Sequence, residues 1–448
     1  MPKAVSVIGL GKLGAPMVAC FAARGFEVVG VDLDSEKVKA LNEGRAPVHE
    51  PGLQEWIVRG KVRLTASQDI EAAVRQTECT FIVVATPSEP DGGFSLRYVL
   101  PVCQFIGRAL REKEGFHVVV MTSTVLPGST GGAVRSTLEQ ASGKRCGKDF
   151  GLCYSPEFIA LGSVIRNFLN PDFVLIGESD TRSGDILEKI YLEVCENSPR
   201  AARMNFVNAE LAKLSVNTYV TTKISFANML ARICEKLPEA NVDDVTAALG
   251  LDTRIGPKYL KGAISYGGPC FPRDNLALAA FARQIGARAD LAQATDQFNR
   301  WQIQWLADLV EQYAPPGVTV GILGLTYKPD TDVIEEAAGF LLAKELSRRG
   351  QPVAAFDPSI NGRAHPTIGE KARVVPTALE CISQAHVVVL ATPWPDFARI
   401  EAEKWTRQAG SRVVIDCWGV LGHLKNVEGI RYERLGNSGG MEWMLAAH

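Results

Sequence analysis

The chain has 448 residues, enough for roughly two to four domains of ordinary size. Its 48 basic and 50 acidic residues leave a formal charge of -2, which argues against a nucleic-acid binder that uses the whole chain. Apolar runs stay below the length of about 18 residues that a membrane span needs, so no span is expected. The ten scattered cysteines include no C-x-x-C and indicate reduced thiols in a cytoplasmic protein. The six histidines lack metal-ligand spacing, so no metal site is expected.

The first 32 residues predict a complete βαβ unit. A strand over 5–8 leads into Gly9, Gly11 and Gly14, which form a G-x-G-x-x-G fingerprint ahead of a predicted helix. The next strand ends on Asp32. Glycines let the backbone approach a pyrophosphate, and an acid in this position binds both ribose hydroxyls and repels a 2′-phosphate, which favours NAD over NADP. The alternative is a glycine turn that binds nothing.

The segments after this unit continue the same α/β pattern. Strand candidates over 81–85, 118–121, 152–154 and 174–176 alternate with helical stretches, as in a mostly parallel, doubly wound sheet. Residues 208–236 contain no Gly or Pro and predict one long helix. The α/β pattern returns at 318–323 and 353–356, and residues 387–393 resemble residues 81–87. These segments indicate a second domain of the same kind. We therefore predict an α/β fold with two Rossmann-like doubly wound domains joined by a central long helix.

The second of these domains has Gly321 and Gly324 but lacks the full fingerprint. Another nucleotide ligand, or no ligand, fits it better than a second NAD.

Cys270 is the candidate nucleophile. It lies in a glycine- and proline-rich loop with Arg273 and Asp274 directly after it, whereas structural cysteines usually lie among apolar neighbours. The alternative is a buried loop thiol. Lys213 and Asn217 are four residues apart on the long helix and share a face that could hold an oxyanion or a water, or simply face solvent.

Two further polar residues follow predicted strands. Glu157 comes after the strand over 152–154, and Thr124 after the strand over 118–121. Ligand clefts in such sheets lie at the carboxyl ends of the strands, so both side chains could reach one. The alternatives are an exposed loop acid and a helix-capping hydroxyl.

Taken in order, the motifs resemble those of the UDP-glucose/GDP-mannose dehydrogenase family over nearly the whole chain. They are the fingerprint with Asp32, residues 50–53 (EPGL), 86–88 (TPS), 123–125 (STV), 155–158 (SPEF), 170–172 (NPD), 208–217, 254–260, 266–274 and 324–329. The segment around Cys270 is the most specific. Residues 50–53 and the Phe-Pro-Arg-Asp after Cys270 are most similar to the branch that oxidises UDP-glucose.

The resemblance implies an NAD-dependent four-electron oxidation of a nucleotide-sugar C6 alcohol to the carboxylate. Cys270 would carry a thiohemiacetal and then a thioester. Lys213 would stabilise oxyanions beside Asn217, Asp274 would position or activate water, and Glu157 and Thr124 would support acid–base steps.

The resemblance also implies the binding residues and the assembly. The cofactor would be bound by Gly9, Gly11, Leu13, Gly14, Asp32, Lys37, Thr86, Thr124 and Glu157. The nucleotide sugar would be bound by Phe158, Lys213, Asn217, Arg254, Tyr259, Lys261, Tyr266, Gly267, Phe271, Tyr327 and Lys328. Arg254 matches a residue that reaches the neighbouring subunit's site, so a homodimer built around the long helix is expected. The domains would be 1–204 for NAD, 205–300 for dimerisation and the cysteine loop, and 301–448 for the nucleotide sugar.

Three positions depart from the family pattern. Glu335 and Trp418 stand where arginines are usual, and Leu161 stands where a glutamate is common. These changes leave the sugar and nucleotide open, with GDP-mannose or another UDP-hexose as alternatives. A two-electron 3-hydroxyacid dehydrogenase and a catalytically silent nucleotide-binding regulator are the competing functions; the Cys270 loop argues against the first and the intact polar set against the second.

Overall fold

The computed structural model describes residues 3–360, 367–407 and 410–438, which leaves His365 and His448 outside the described ranges. The chain forms two compact units. The first comprises Met1–Ser215 with Ala280–Gly286, and the second comprises Val216–Ala279 with Ala287–His448. Within the described ranges, no helix combines the length and apolarity needed to cross a bilayer.

The first unit is built on an eight-stranded sheet. Its strands are β1 (Ala4–Ile8), β2 (Glu27–Val31), β3 (Leu64–Ser67), β4 (Cys79–Ile82), β5 (Val118–Met121), β6 (Gly151–Tyr154), β7 (Val174–Glu178) and β8 (Ala201–Met204), in the order β3-β2-β1-β4-β5-β6-β7-β8. The first eight helices are α1 (Gly14–Ala23), α2 (Ser35–Asn42), α3 (Leu53–Gly60), α4 (Ile70–Gln76), α5 (Val99–Glu112), α6 (Arg135–Ser142), α7 (Val164–Leu169) and α8 (Thr181–Val194). All strand pairs are parallel except β6 with β7.

Apolar residues on both faces of this sheet fix the helices to it. One core cluster joins α1, α3, α7 and α8 to one face, around Phe21, Phe81 and Phe168. A second cluster joins α4, α5 and α6 to the other face, around Ile82 and Leu152. Strands buried on both sides read as continuous apolar runs, which is why residues 118–121 could be predicted as a strand without any alternation.

The predicted long helix is α9 (Phe206–Cys234), two residues earlier at each end than expected. It starts early because Asn205 caps it: its side-chain oxygen accepts a hydrogen bond from the backbone N–H of Asn208 at 3.0 Å. Its last turn tightens ahead of Pro238: the backbone N–H groups of Lys236 and Leu237 donate to carbonyls three residues back, at 3.0 and 3.1 Å.

The second unit holds a six-stranded sheet that is parallel throughout. Its strands are β9 (Val320–Leu323), β10 (Val353–Phe356), β11 (Ala372–Val374), β12 (Val387–Leu390), β13 (Arg412–Asp416) and β14 (Ile430–Arg434), in the order β11-β10-β9-β12-β13-β14. The remaining helices are α10 (Val242–Leu251), α11 (Phe271–Gln284), α12 (Asp290–Tyr313), α13 (Ala338–Arg348), α14 (Ala378–Gln384) and α15 (Pro395–Ala398). Apolar clusters again cover both faces, with α12 and α13 on one and α14 and α15 on the other. The predicted fold, two doubly wound Rossmann-like sheets with a long central helix, is confirmed.

Candidate functional site

The glycine fingerprint forms the turn between β1 and α1, and each glycine has a separate reason to lack a side chain. Gly9 has φ +104°, and an added Cβ would overlap the carbonyl oxygen of Val83. A Cβ on Gly14 would overlap the carbonyl oxygen of Gly9, so α1 packs on β1 only with glycine there. A Cβ on Gly11 would meet nothing within 4 Å. The space over Gly11, at the amino end of α1, is therefore open to a phosphate group.

Asp32 connects this turn to the end of β2. Its Oδ2 accepts a hydrogen bond of 2.7 Å from the backbone N–H of Leu10, and its Oδ1 accepts one of 2.9 Å from Asp34. The side chain keeps 13% of its surface exposed, and Lys37 Nζ lies 3.5 Å from Oδ2. The carboxylate is thus fixed beside the fingerprint with surface left for ribose hydroxyls. These residues fit NAD.

The other predicted cofactor residues lie along the carboxyl edge of the same sheet. Leu13 directly precedes α1. Thr86 and Thr124 follow the neighbouring strands β4 and β5, and the Thr86 hydroxyl donates to the Thr124 carbonyl at 2.8 Å. The first unit therefore brings the predicted cofactor residues to one edge of its sheet.

Glu157 and Lys213 are neighbours in the first unit. Lys213 is buried on α9, and its Nζ donates to the Glu157 carbonyl oxygen at 2.6 Å and lies 4.3 Å from the centre of the Phe158 ring. The Glu157 carboxylate accepts a hydrogen bond of 3.0 Å from Tyr191, whose oxygen is 3.0 Å from the Ser155 hydroxyl. Burial raises the pKa of Glu157 to about 7, against the lowering effects of Tyr191 and Lys213. A carboxyl group in this state can exchange a proton near neutral pH.

Two buried carboxylates hold the loops that carry these groups. Glu50 accepts hydrogen bonds from the backbone N–H groups of Gly162 and Val164 at 2.9 and 2.7 Å, in the loop after Phe158. Glu210 does the same for Gly128 and Thr130 at 2.6 and 2.7 Å. Sequence reasoning noted Glu50 only as part of a motif and gave no role to Glu210 or Tyr191. All three bond to partners far away in the sequence, so no local pattern reveals these contacts.

In the second unit, Cys270 directly precedes α11. Its carbonyl oxygen accepts the backbone N–H of Asp274 at 2.8 Å, so the thiol lies at the amino end of the helix, where a negative charge is favoured. All ten cysteines fall in the described ranges, and Cys270 alone is exposed. Asp274, 1% exposed, accepts a hydrogen bond of 2.6 Å from Asn217 Nδ2. The predicted nucleophile, acid and amide thus belong to one helix start and the helix beside it.

The Cys270 loop is framed by predicted substrate residues. The Tyr266 hydroxyl accepts a hydrogen bond of 2.9 Å from Asn275, and its ring meets that of Phe271 edge-on at 6.1 Å. An added Cβ on Gly267 would overlap the Glu336 carbonyl oxygen, and one on Gly268 would touch the Tyr327 ring at 3.0 Å. The loop therefore packs directly against the segment that carries Tyr327 and Lys328.

Two predicted substrate residues, Arg254 and Lys261, pair with carboxylates, and a third, Tyr259, is half-exposed. Arg254 has 86% of its side chain exposed and pairs with Asp252 at 2.6 Å. Tyr259 is half-exposed with φ +65°. Lys261 Nζ donates to Asp243 at 2.8 and 2.9 Å, and Arg434 pairs with the same carboxylate.

Two of the three departures from the family pattern, Glu335 and Trp418, make defined contacts. The backbone carbonyl of Glu335 accepts the N–H of Gly268 at 2.9 Å, so this position contacts the Cys270 loop through its main chain. Trp418 follows β13, and its indole N–H donates to the Ala391 carbonyl at 2.9 Å at the end of β12. The ring is therefore fixed at the carboxyl edge of the second sheet.

Asp357 follows β10 as Asp32 follows β2, but its carboxylate accepts five hydrogen bonds from the described part of the chain. Its Oδ2 accepts hydrogen bonds from Leu325 N, Thr326 N and the Thr326 hydroxyl at 2.8 to 3.0 Å and from Trp394 Nε1 at 3.2 Å. Its Oδ1 accepts one from Ser359 N at 2.9 Å. Asp357 is fully buried, so its carboxylate has no exposed surface for a ribose.

Three family models match the chain in order. All belong to the UDP-glucose/GDP-mannose dehydrogenase family: the NAD binding domain matches residues 3–195, the central domain 207–301 and the UDP binding domain 321–423.

Individual relatives match over most of the chain. A UDP-glucose 6-dehydrogenase of Haloferax volcanii is 34% identical over 435 residues, covering 96% of this chain and 99% of its own. A GDP-mannose 6-dehydrogenase of Pseudomonas syringae pv. syringae is 36% identical over 366 residues, a match that covers 81% of this chain and 82% of that relative. The solved structure of a UDP-glucose dehydrogenase from Pyrobaculum islandicum superposes with a TM-score of 0.87 at 33% identity, covering 97% of both chains. The chain therefore belongs to the UDP-glucose/GDP-mannose dehydrogenase family, as a nucleotide-sugar dehydrogenase that uses NAD.

Proposed function

We propose that the protein is a UDP-glucose 6-dehydrogenase. UDP-glucose, two NAD and one water would give UDP-glucuronate, two NADH and three protons. Relatives named for UDP-glucose match 92 to 96% of the chain, and relatives named for GDP-mannose match 81 to 92%. GDP-mannose oxidation by the same chemistry is the second candidate, because the relatives named for GDP-mannose have equally high sequence identity to this chain.

The observation that carries the proposal is the exposed Cys270 thiol at the amino end of α11. Bound NAD supplies the hydride acceptor. The thiolate of Cys270 adds to the aldehyde carbon formed in the first oxidation, and the resulting thiohemiacetal retains the aldehyde and again carries a hydrogen that can leave as hydride. Loss of that hydride gives a thioester, and water cleaves it to the carboxylate and the free thiol.

The residues near Cys270 in the second unit have roles in the hydrolysis. Asn217 donates to Oδ2 of Asp274 and fixes the orientation of this buried carboxylate. An oriented carboxylate at the start of α11 can accept a proton from the attacking water. We infer that Asp274 is the general base of the last step and that Asn217 positions it.

In the first unit, Lys213 and Glu157 provide charge and a proton carrier. The Lys213 ammonium is buried, so its field acts at low dielectric on an alkoxide or other oxyanion. The pKa of Glu157, about 7, suits proton transfer at neutral pH, with Thr124 in support. We propose that the nucleotide sugar is bound by Tyr259, Lys261, Tyr266, Gly267, Phe271, Tyr327 and Lys328.

We also propose a homodimer in the cytoplasm. Within the second unit, α9 exposes an apolar stripe of Tyr219, Phe226, Met229 and Ile233, at helical spacings of seven, three and four, with 38 to 65% of each residue exposed. A stripe of this kind on one helix face favours pairing with a second copy. The exposed Arg254 would then exchange its pairing with Asp252 for contacts to the partner subunit. Nine cysteines besides Cys270 remain unpaired thiols, as in a reducing compartment.

The test is the amount of NADH formed per mole of limiting substrate, with the sugar product analysed alongside. Two NADH per UDP-glucose, with a uronate, are expected, and GDP-mannose should be a poor substrate. One NADH with a free aldehyde would contradict the thioester route. Cys270→Ser should bind NAD but form no carboxylate, with Cys146→Ser as the matched control. Efficient turnover of GDP-mannose instead would transfer the assignment to the second candidate.

A further inference from the structure

Three basic side chains meet at the amino edge of the second unit's sheet, at the end opposite to the residues discussed above. Arg412 is the first residue of β13, and His386 directly precedes β12. The His386 carbonyl accepts the backbone N–H of Val413 at 3.2 Å, which places the starts of the two strands side by side. Arg407 Nη1 hydrogen-bonds to the His386 Nδ1 atom. The three residues thus form one cluster, which we name the basic cluster.

Arg412 is the unusual member of the basic cluster. It is 1% exposed, and its Nε and Nη1 atoms have no hydrogen-bond partner in the described part of the chain. A buried guanidinium is normally held by carboxylates or carbonyls, since a buried charge without partners is strongly destabilising. Burial, and then the charge of Arg407, lower the pKa of Arg412 to about 10. The side chain is therefore a buried cation that still has N–H groups to donate.

The neighbours of Arg412 add positive charge and no negative charge. Arg407 is exposed and lies at the surface beside His386, which is partly exposed. Burial, and then the charges of Arg407 and Arg412, lower the pKa of His386. Glu380, on the adjacent α14, accepts a hydrogen bond from Gln384 at 3.0 Å. No carboxylate of the described ranges pairs with either arginine, so the cluster lacks a counter-charge.

We propose that the basic cluster is a binding site for a phosphate group, separate from the nucleotide-sugar site. The planar guanidinium group matches the spacing of phosphate oxygens. The two positive charges of Arg407 and Arg412 balance a phosphate dianion, whereas a single carboxylate would leave one of them unbalanced. The bound group would satisfy the N–H groups of Arg412 and lie between it and Arg407. The cluster is at the amino edge, whereas Trp418 lies at the carboxyl edge, about 13 Å away along strands of four to five residues. The inference does not depend on the identity of the substrate.

The test uses the full chain with NAD and UDP present in excess, so that other phosphate-binding positions are filled. Inorganic phosphate is titrated by calorimetry against a potassium chloride control of equal ionic strength. We expect the wild-type protein to bind one phosphate per chain in this state. Arg412→Met should weaken that binding about tenfold or more, because charge-assisted hydrogen bonds are lost. Arg399→Ala, which removes an exposed arginine paired with Asp396, should leave it unchanged.

Thermal unfolding gives a second, independent measure. Without phosphate, Arg412→Met should be at least as stable as the wild type, since it removes a buried unpaired charge; added phosphate should stabilise only the wild type. If Arg412→Met does not fold, Arg407→Ala replaces an exposed residue and should also weaken phosphate binding. The proposal is overturned if the wild type binds no phosphate under these conditions, or if both cluster variants bind it as the wild type does.

Discussion

The Tyr191 hydroxyl donates a hydrogen bond of 3.0 Å to Oε1 of Glu157, and this bond favours the ionised carboxylate. Removing it should therefore raise the pKa of Glu157 further above 7. In Tyr191→Phe, the acidic limb of the pH profile of kcat should move up by about one pH unit, the effect of losing one charge-assisted bond. Steady-state rates measured between about pH 6 and pH 9 would show the shift. Tyr98→Phe, an exposed tyrosine of the same unit, is the control. An unchanged profile would remove Glu157 from the proton transfers.

Asp274 is expected to act only after the thioester has formed. Asp274→Asn keeps the size of the side chain and can still accept the Asn217 hydrogen bond through its amide oxygen. Rapid mixing should show a burst of NADH, followed by a steady rate reduced about a hundredfold or more, as for loss of a general base. Asp290→Asn, at an exposed position, is the comparison. A slow first turnover without a burst would place Asp274 in an earlier step.

Gly11 and Gly14 should respond differently to the same change. Gly11→Ala adds a methyl group to open space, so the protein should fold normally and bind NAD roughly tenfold more weakly, about 1.4 kcal/mol. Gly14→Ala forces the methyl group onto the Gly9 carbonyl and should lower the melting temperature. Calorimetric NAD titration and thermal unfolding separate the two effects. Gly132→Ala, also in open space but outside the fingerprint, should change neither quantity.

His117 should limit stability in acid. It is fully buried between Thr80 and the Thr77 carbonyl, and burial lowers its pKa to about 3. Below pH 6.5, the ordinary pKa of histidine, the imidazole is protonated in the unfolded chain but stays neutral in the folded chain. The free energy of unfolding therefore falls as the pH decreases. Between pH 6.5 and 5 the loss from this group is about 2 kcal/mol of unfolding free energy. Hydrogen exchange of β5 at several pH values would measure it. His117→Gln should flatten the dependence, whereas His423→Gln, at the surface, should not.

The features predicted from sequence are those that neighbouring residues determine. Gly9, Gly11 and Gly14 lie within one turn, and Asp32 follows the next strand, so their arrangement depends on short stretches of chain. The strand over 118–121 could be predicted because both of its faces are apolar. The antiparallel direction of β7 could not, because apolar content indicates a strand and not its orientation.

The contacts that remained hidden join distant segments. Glu50 holds the backbone of Gly162 and Val164 across more than a hundred residues, and Tyr191 on α8 reaches Glu157 in the loop after β6. Arg412 opens a strand otherwise made of apolar residues and one acid, and only the structure shows that its charge is enclosed. A sequence pattern records the type of residue, whereas these interactions depend on which segments pack together.

The saturated carboxylate of Asp357 has a consequence for conformational order. In the second unit the turn after β9 is held by its own acid, so its amides are bonded before any ligand arrives. In the first unit, Asp32 holds fewer turn amides, and the open space over Gly11 leaves part of that turn to be ordered by NAD. The turn after β1 therefore has more conformational freedom before ligand binding than the turn after β9. Only the turn after β1 should gain protection from amide exchange when NAD binds. The first unit would use part of its NAD-binding free energy to order this turn, whereas the turn after β9 is already hydrogen-bonded without a ligand.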